Sequence, residues 1–375
     1  MPVANGTVVY VGAFQLPDGN AAAHRVMANA LIFRELGLDV VFIEVGKVDQ
    51  STEEREIEVN GFRVLRLSLR QGRWRNVAQA VGHPGIFPLL GEQEDLRAVI
   101  AYNYPSPALL RLRGYCRGRG VPCLADITEW YQPRLDSLAN LFRALDSAVR
   151  MRIVHPRLDG AIVISRYMAD FYEGCLDVVK LPPLVDARNQ KWSAPAAVDK
   201  AAITFIYAGS PSARKERLDV VVETFQRSVW QKPVCLEIYG VTAEEYRVMY
   251  GMERTPSNGP IRFHGRVAHS EVLSALARAD YALVVRDESR NVLAGFPTKF
   301  VESVTASTPV IASWHPDVIE YIDRYACGLV TTLSTLDETI SVALSDGTRV
   351  APDRTAFDYR RYLEPVAEFF DKVGL

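Results

Sequence analysis

The apolar residues of this chain fall into short runs that alternate with longer stretches of helical spacing. Residues 7–12 form a β-branched run that ends in glycine, residues 20–38 carry apolar positions on one helical face, and residues 40–45 form a second apolar run. A strand, a glycine turn, a helix and a second strand within about 40 residues make a βαβ unit, which is typical of parallel α/β proteins.

The same alternation continues through the first half, stops, and then restarts. Seven strands are predicted before the break, at residues 7–12, 40–45, 62–67, 98–102, 122–127, 160–165 and 178–181, with helices at 108–117 and 144–154. Prolines and polar residues replace the pattern between residues 182 and 202, which predicts an interdomain linker. The restart predicts strands at 203–207, 235–239, 261–263, 281–285 and 310–312, with helices at 217–228, 270–279, 299–306 and 316–325.

This organisation predicts an α/β protein with two doubly wound domains that face one another across a cleft. The predicted parts are a first domain at residues 1–185, a linker at 186–201, a second domain at 202–352 and a C-terminal segment at 353–375. Aromatic and charged residues alternate in that segment, which Pro365 interrupts. We expect a kinked amphipathic helix that crosses back onto the first domain.

Composition narrows the class of protein. Of the 375 residues, 48% are hydrophobic and 23% are charged, as in ordinary globular proteins, so disorder, collagen-like repeats and coiled coils are excluded. We find no run of membrane-spanning length and no signal-peptide pattern at the start, and we expect a cytoplasmic protein. Five cysteines without CxxC spacing favour neither a disulfide framework nor a zinc site.

Charge is nearly balanced overall but uneven along the chain. The net charge of −2 argues against nucleic acid as a partner, yet residues 61–158 contain 15 arginines, no lysine and 7 acidic residues. Five of these arginines are Arg63, Arg66, Arg70, Arg73 and Arg75. They predict weak peripheral association with an anionic membrane surface, and the alternative is a solvated loop that supports solubility.

The first candidate site follows the strand at 203–207. Gly209 and Ser210 form a small-residue turn, after which Arg214 and Lys215 open a helix. Cations are disfavoured at a helix N-terminus unless an anion lies there, so both predict binding of a diphosphate. A solvated basic turn is the alternative.

The second candidate site opens the helix at 299–306. Pro297 suits the first turn, Thr298 is predicted to cap it, and Glu302 lies one turn into the helix on the same side. A carboxylate there can accept two hydrogen bonds from a ribose diol while the helix N-terminus holds phosphate oxygens, and Lys299 is counted among the ligand-binding residues of this site. An ordinary solvated helix glutamate is the alternative for Glu302.

Together these segments resemble a known family. The motifs YAGSP with Arg214 and Lys215, FHGRV at 263–267, FPTKFVES at 296–303 and TPVI at 308–311 are similar to the donor domain of retaining glycosyltransferases of family 4, also called group 1 glycosyltransferases. Segments 17–25, 126–131, 159–167 and 181–186 resemble bacterial members that build surface polysaccharides. The family has the GT-B fold, in which two Rossmann-like domains hold a nucleotide-sugar between them.

The resemblance implies roles for residues of the donor domain. Lys215, with Arg214 beside it, would bind the donor diphosphate, and Glu302 would bind the ribose. The backbone around Gly265, Arg266 and Val267 would contact the nucleobase.

One position departs from the family pattern. Members often carry a first glutamate eight positions before the second, and that position is Ala294 in this chain. Its contact with the donor sugar is therefore missing or is supplied by another residue such as Arg290 or Asn291.

The resemblance also implies retention of anomeric configuration, with the departing phosphate helping to deprotonate the acceptor. Neither a metal nor a cofactor is expected, because cations and a helix dipole can stabilise the leaving diphosphate. The predicted catalytic residues are Lys215, Glu302 and Glu129. Glu129 follows the strand at 122–127 and would serve the acceptor or the reacting sugar, although a structural role is equally open.

In the first domain, the residues expected near the donor open the helix at 20–38. Asn20 and the backbone of Ala21 and Ala22 would approach the diphosphate or the sugar. His24 can hydrogen-bond there, and the alternative is a histidine that is merely packed or exposed.

These observations predict a glycosyltransferase that moves a sugar from a nucleotide-sugar to a saccharide or lipid-linked acceptor, in polysaccharide or glycoconjugate biosynthesis. Two alternatives are a nucleotide-sugar epimerase of the same fold and a non-catalytic protein that binds sugar nucleotides. A dinucleotide-dependent dehydrogenase is disfavoured because no GxGxxG follows either opening strand.

Overall fold

The structure is a computed structural model that describes residues 6–46, 56–68, 80–131, 138–192, 200–211, 215–252, 259–345 and 351–375. It divides into two compact units. The first comprises residues 1–185 together with 359–375, and the second comprises residues 186–358.

The first unit is built on an eight-stranded sheet with the order β3-β4-β2-β1-β5-β6-β7-β8. Its strands are β1 (Thr7–Gly12), β2 (Asp39–Gly46), β3 (Glu56–Val59), β4 (Phe62–Ser68), β5 (Leu96–Tyr102), β6 (Cys123–Ile127), β7 (Gly160–Val163) and β8 (Val178–Lys180). Each neighbouring pair is parallel except β3 and β4, which form an antiparallel hairpin at the edge. Strand order reverses between β1 and β5, which makes this pair a topological switch point.

Helices flank this sheet and cover its apolar strands. They are α1 (Ala21–Glu35), α2 (Ile86–Gly91), α3 (Ser106–Arg119), α4 (Leu138–Val149), α5 (Arg166–Tyr172) and α13 (Leu363–Val373), and a π-helical turn at Arg150–Val154 extends α4. Buried aromatic side chains of β1, α1 and β2 stack in the core, where Tyr10 lies 6.2 Å from Phe33 and 6.0 Å from Phe42 between ring centroids. The central strands β1, β5, β6 and β7 are largely buried on both faces, which explains their continuous apolar sequence.

The C-terminal helix α13 packs within the first unit. The ring of Phe370 lies 5.1 Å from that of Phe33 in α1, and Phe369 approaches Gly160 so closely that a Cβ there would lie 2.9 Å from the ring. The predicted kink at Pro365 is wrong. The helix begins at Leu363, so Pro365 falls in the first turn, where a missing N–H breaks no helical hydrogen bond.

The second unit is built on a six-stranded, fully parallel sheet with the order β11-β10-β9-β12-β13-β14. Its strands are β9 (Ile203–Ala208), β10 (Val234–Tyr239), β11 (Ile261–Gly265), β12 (Tyr281–Val284), β13 (Val310–Ser313) and β14 (Gly328–Thr331). Its helices are α6 (Leu218–Arg227), α7 (Ala243–Tyr250), α8 (His269–Arg278), α9 (Arg290–Leu293), α10 (Thr298–Thr305), α11 (Pro316–Tyr325) and α12 (Leu336–Ser345). Strand order reverses between β9 and β12, the switch point at which open α/β sheets bind ligands.

Some elements were not predicted from the apolar pattern. Strand β3 carries Glu56 and Glu58 on an exposed edge, and the short edge strand β14 is only partly buried. Residues 186–192, which were assigned to the linker, pack in the second unit, where Trp192 is buried and its carbonyl accepts a hydrogen bond from Arg354. None of the helices in the described ranges combines the length and the apolar character that crossing a bilayer demands.

Candidate active site

The turn after β9 packs tightly against two neighbouring elements. Gly209 has a φ of +127° and Gly240, after β10, has a φ of +98°, backbone conformations that favour glycine. A Cβ at Gly240 would lie 2.5 Å from the carbonyl of Gly209, and a Cβ at Gly209 would lie 2.4 Å from Cε of Lys299. The two glycines therefore allow the strand ends and the Lys299 side chain to meet.

Lys299, in the first turn of α10, points into the switch point between β9 and β12. Its Nζ donates a 2.6 Å hydrogen bond to the Tyr207 hydroxyl, lies 4.2 Å from the centre of that ring, and lies 3.3 Å from Oε1 of Glu216. The side chain is only 14% exposed. Burial therefore lowers the pKa of Lys299 to about 8, although Glu216 acts in the opposite direction.

Glu216 is brought to this point by a backbone pairing. Residues 215–217 run antiparallel to 285–287, with hydrogen bonds from Arg217 N to Val285 O (3.0 Å) and from Asp287 N to Lys215 O (3.1 Å). This pairing places Nε of Arg286 3.8 Å from Oε1 of Glu216. Burial lowers the pKa of Arg286, while Glu216 favours its charged form.

Glu302 lies one turn into α10, where its carboxylate is partly exposed and one of its oxygens lies within hydrogen-bond distance, 3.0 Å, of Nε2 of His269 at the start of α8. The predicted cap by Thr298 is wrong. Pro297 occupies the N-cap position and Thr298 is the first helical residue, so its side chain does not cap the helix.

The loop expected to contact a nucleobase lies at the end of β11, beside the loop that follows β10. The carbonyl of Gly265 accepts a 2.7 Å hydrogen bond from Gly240 N, which joins the two loops. Arg266 forms a 2.8 Å ion pair with Glu245 in α7. A groove of about 480 Å³ runs beside them, and its lining includes Ser210, Val241, Val248, Met249 and Arg266. Val267 follows Arg266 in the same loop.

The position of the missing first glutamate is buried. Ala294 has no exposed surface and ends the short helix α9, which begins at Arg290. Asn291 in the same helix has a buried Oδ1 atom. Lys215 is partly buried beside the 285–287 segment, whereas Arg214 lies outside the described residues.

In the first unit, the predicted residues occupy the start of α1 and the end of β6. Asn20 caps α1 by accepting a 2.9 Å hydrogen bond from Ala23 N, and Ala21 and His24 are exposed, with Ala22 between them partly buried. Glu129 is partly buried and accepts a hydrogen bond from the hydroxyl of Tyr131.

A buried ion pair lies beneath these two segments. Asp126, wholly inaccessible at the end of β6, accepts hydrogen bonds from Arg25 Nε (2.8 Å) and the Tyr10 hydroxyl (2.6 Å), and Arg25 also donates to the carbonyl of Leu181 (2.9 Å). This network fixes the first turns of α1 against the ends of β6 and β8.

The sequence did not single out Tyr207, Glu216, His269 or Arg286. The sequence pattern could have identified Arg286 as a candidate site residue, because it is the first charged residue after the apolar run at 281–285 and therefore stands at the carboxyl end of a buried strand. The pairing of Glu216 with Arg286 had no such signal, since it depends on two segments far apart in the chain.

Comparisons with known proteins agree with this architecture. Residues 202–346 match the family model described as Glycosyl transferases group 1. The structure is similar to sucrose-phosphate synthase from Thermosynechococcus elongatus (14% identity, TM-score 0.71, 98% of this chain and 99% of the other) and to HepE from Anabaena in complex with UDP and glucose (14%, 0.65, 98% and 99%). It is also similar to WaaG, a glycosyltransferase involved in lipopolysaccharide biosynthesis (14%, 0.60, 98% and 100%). A comparison with curated protein sequences finds no significant match.

The chain therefore has the α/β GT-B fold of glycosyltransferases, as its motifs predicted. More particularly, residues 202–346, the part that carries the Lys299 and Glu302 site, match the group 1 glycosyltransferase model.

Proposed function

We propose that this protein transfers a sugar from a nucleotide-sugar donor to a saccharide or lipid-linked acceptor, with retention of anomeric configuration, in polysaccharide or glycoconjugate biosynthesis. The observation that carries the proposal is the position of the second unit's polar cluster. Lys299, Arg286 and the N-terminus of α10 converge at the β9–β12 switch point, inside the domain that matches the glycosyltransferase model.

The donor fits this site by charge and by hydrogen bonding. Cations at 215 and 299, with the positive end of the α10 dipole, suit the diphosphate. Glu302 has a second carboxylate oxygen beyond the one that faces His269, which suits a ribose hydroxyl. HepE has also been solved in complex with UDP-glucose, so UDP-sugars come first in a donor screen.

The leaving group is the centre of the proposed mechanism. As the bond between the sugar and the diphosphate breaks, charge develops on the phosphate, and one preorganised cationic or dipolar contact can lower the barrier by about 3–4 kcal/mol. Because side chains and α10 can supply this stabilisation, we propose that transfer does not require a metal ion. Unchanged turnover in EDTA supports this, and activity that returns only on adding a divalent cation contradicts it.

Retention requires the acceptor to attack the face from which the diphosphate departs. The departing phosphate oxygen takes the acceptor proton in this proposal, and Glu129 positions the acceptor. Glu129→Gln should then raise the KM for the acceptor more than the KM for the donor. Equal effects on both substrates would make Glu129 structural.

Donor binding is tested by thermal shift with UDP, GDP, dTDP and ADP and their sugar conjugates. Lys215→Ala and Glu302→Ala should each abolish the shift given by the best nucleotide. Exposed residues of the same type, Lys372 and Glu271, provide matched alanine controls that should keep it. Intact binding in both site variants would remove the site assignment.

Turnover separates the proposed reaction from its alternatives. A transferase releases the nucleoside diphosphate only when an acceptor is present, and NMR of the product gives the anomeric configuration. A rearranged nucleotide-sugar without acceptor would indicate an epimerase. Tight binding with no turnover of any donor would indicate a non-catalytic binding protein.

We also propose peripheral association with an anionic membrane, which a lipid-linked acceptor requires. Two of the arginines predicted for this role are paired with acids, Arg63 with Glu56 at 2.5 Å and Arg66 with Glu44 at 3.3 Å. Arg70, Arg73 and Arg75 lie outside the described residues.

Helix α4 and the turn after it offer a stronger basis for membrane association. Its exposed apolar side chains are Leu141 (43%), Phe142 (68%), Leu145 (59%) and Ile153 (48%). Exposed arginines lie among and beside them, namely Arg143, Arg152 and Arg157. An apolar face bordered by cations is typical of helices that lie in an anionic lipid interface, where each cation contributes about 1 kcal/mol.

Flotation with liposomes of phosphatidylglycerol and phosphatidylcholine tests this surface. The double change Phe142→Glu and Leu145→Glu should abolish co-flotation, whereas Val342→Glu, at a similarly exposed position of α12, should not. A second arm replaces Arg70, Arg73 and Arg75. Co-flotation that survives all of these changes would refute membrane binding through these two surfaces, and a wild type that does not co-float would refute membrane association altogether.

A further inference from the structure

Two cations and one carboxylate are buried together at the β9–β12 switch point. The side chains of Lys299, Arg286 and Glu216 are only 14%, 12% and 12% exposed. Both cations face the same oxygen, Oε1 of Glu216, at 3.3 Å and 3.8 Å. This triad therefore carries one positive charge more than its carboxylate balances.

Buried charge of this kind is unfavourable unless a counter-charge is present, because removal from water destabilises an ion strongly. Glu302 contributes a more distant negative charge to the surroundings of Lys299, and one of its carboxylate oxygens lies 3.0 Å from Nε2 of His269. The excess charge of the triad is most simply explained by a ligand that brings its own negative charge.

The hydrogen bonding of Arg286 points the same way. Within the described part of the chain, the buried Nε and Nη1 atoms of Arg286 have no hydrogen-bond partner. Glu216 is close enough for an ion pair, but 3.8 Å is too long for a hydrogen bond. Guanidinium groups have five donors in a fixed fork, and buried donors in native proteins are nearly always satisfied. The guanidinium of Arg286 therefore has buried donors that an anionic acceptor could satisfy.

The position of Arg286 defines where such an acceptor would lie. The residue directly follows the buried strand run at 281–285, and its backbone N–H donates a 2.8 Å hydrogen bond to Oγ of Ser313, the last residue of β13. The antiparallel pairing with residues 215–217 fixes the segment from the other side. Arg286 is thus held rigidly at the carboxyl ends of the strands, beside the first turn of α10.

We propose that Arg286, together with Lys299, binds the diphosphate of the donor, and that Glu216 holds the two cations in place before the ligand arrives. This inference rests on the proposed function and adds Arg286 and Glu216 to its site. An Arg fork binds two phosphate oxygens at once, whereas Lys299 supplies a point charge. The ligand chemistry is a diphosphate, either of a nucleotide or of free pyrophosphate.

Isothermal titration calorimetry with inorganic pyrophosphate, UDP and UDP-glucose tests the proposal, with ADP and ADP-glucose as a second nucleotide pair. Arg286→Gln should weaken binding of these ligands by about 10- to 100-fold, the effect of losing hydrogen bonds to a charged group. Arg286→Lys should weaken it less, because charge is kept while the fork is lost. Arg262→Gln, at a well-exposed arginine of β11, is the matched control.

Circular dichroism and ligand-free thermal unfolding show whether each variant folds. If Arg286→Gln does not fold, Arg286→Lys and Lys299→Gln carry the test, and equal affinity in both and in the wild type would refute the site.

The outcomes separate this site from the proposed function. If pyrophosphate binds the wild type and Arg286→Gln loses it while no nucleotide-sugar binds, the anion site stands and the transferase proposal fails. If nucleotides bind Arg286→Gln and Arg262→Gln equally well, the Arg286 site is refuted and nucleotide binding stands. If no ligand binds the wild type, both are refuted.

Discussion

The buried ammonium of Lys299 should make donor binding depend on pH. Four groups face it, Tyr207 from β9, Glu216 from the segment before α6, Arg286 from the end of β12 and Glu302 from its own helix. Burial has the largest effect and lowers the pKa to about 8 from an ordinary value of 10.5, with Arg286 acting in the same direction. The two carboxylates raise the pKa but do not outweigh burial.

A diphosphate binds the charged form of Lys299, so the affinity for the donor should fall as the pH rises. Below pH 7 nearly every molecule carries the ammonium and affinity is constant. Above pH 8 binding must first protonate the amine, and the apparent Kd should rise by about tenfold for each further pH unit. At pH 9 we therefore expect binding about ten times weaker than at pH 7.

Calorimetry between pH 6.5 and 9 with a nucleotide-sugar measures this profile. A nucleotide-sugar is preferred over a nucleoside diphosphate because its diphosphate keeps a constant charge across the range. Lys299→Arg is the control, since a guanidinium does not titrate here and the profile should become flat. A flat wild-type profile, or the same slope in Lys299→Arg, would refute the reasoning.

The free protein should respond to pH with the opposite sign. Between pH 8 and 10.5 the unfolded chain holds a proton on Lys299 that the folded chain has released, so folding stability should rise with pH in this window. The full shift corresponds to about 3 kcal/mol. Denaturant unfolding of wild type and Lys299→Met, compared at pH 7 and pH 10, measures the difference.

Three further predictions concern the stability of the units. Asp126→Asn leaves the buried Arg25 charge uncompensated and should lower the free energy of unfolding by about 3–5 kcal/mol, and a loss below 1 kcal/mol in urea unfolding would contradict the buried network. Gly240→Ala forces a Cβ against the backbone of Gly209 at positive φ and should lower the free energy of unfolding by about 1–3 kcal/mol or more. Gly118→Ala, in open space on helix α3, is the control and should be neutral or stabilising. Thermal unfolding of the two variants compares them. Phe370→Ala should destabilise the first unit by about 3–5 kcal/mol, and an unchanged denaturation midpoint would show that the α13 contact is dispensable.

Most of the strands that could be predicted are buried on both faces. Their apolar runs, such as residues 98–102 and 281–285, contain no charged position that interrupts the pattern, and this is why the α/β class was clear. Strand β3 could not be found this way, because an edge hairpin exposes its alternating glutamates to solvent. Helix α12 mixes acidic, hydroxyl and apolar residues, so its buried face, which includes Leu336 and Ile340, is short.

The same contrast holds for the candidate site. Lys299 and Glu302 stand in one contiguous motif at a helix start, so their sequence spacing already placed them together. Glu216 and Arg286 meet only because two loop segments, far apart in the chain, pair with each other beyond the strand ends. The role given to Thr298 failed for a local reason, since the backbone becomes helical one residue earlier than the cap assignment assumed.

The first unit is assembled from two stretches of polypeptide that the whole of the second unit separates. At about 5–20 residues per second, a ribosome needs on the order of 10–30 s to make residues 186–358. Throughout that interval the aromatic surface around Phe33 lacks the packing partner that Phe370 provides in the finished fold. During synthesis the second unit is thus free to finish folding first, whereas the first unit cannot be completed until helix α13 has been made. A nascent chain would need a chaperone during this delay.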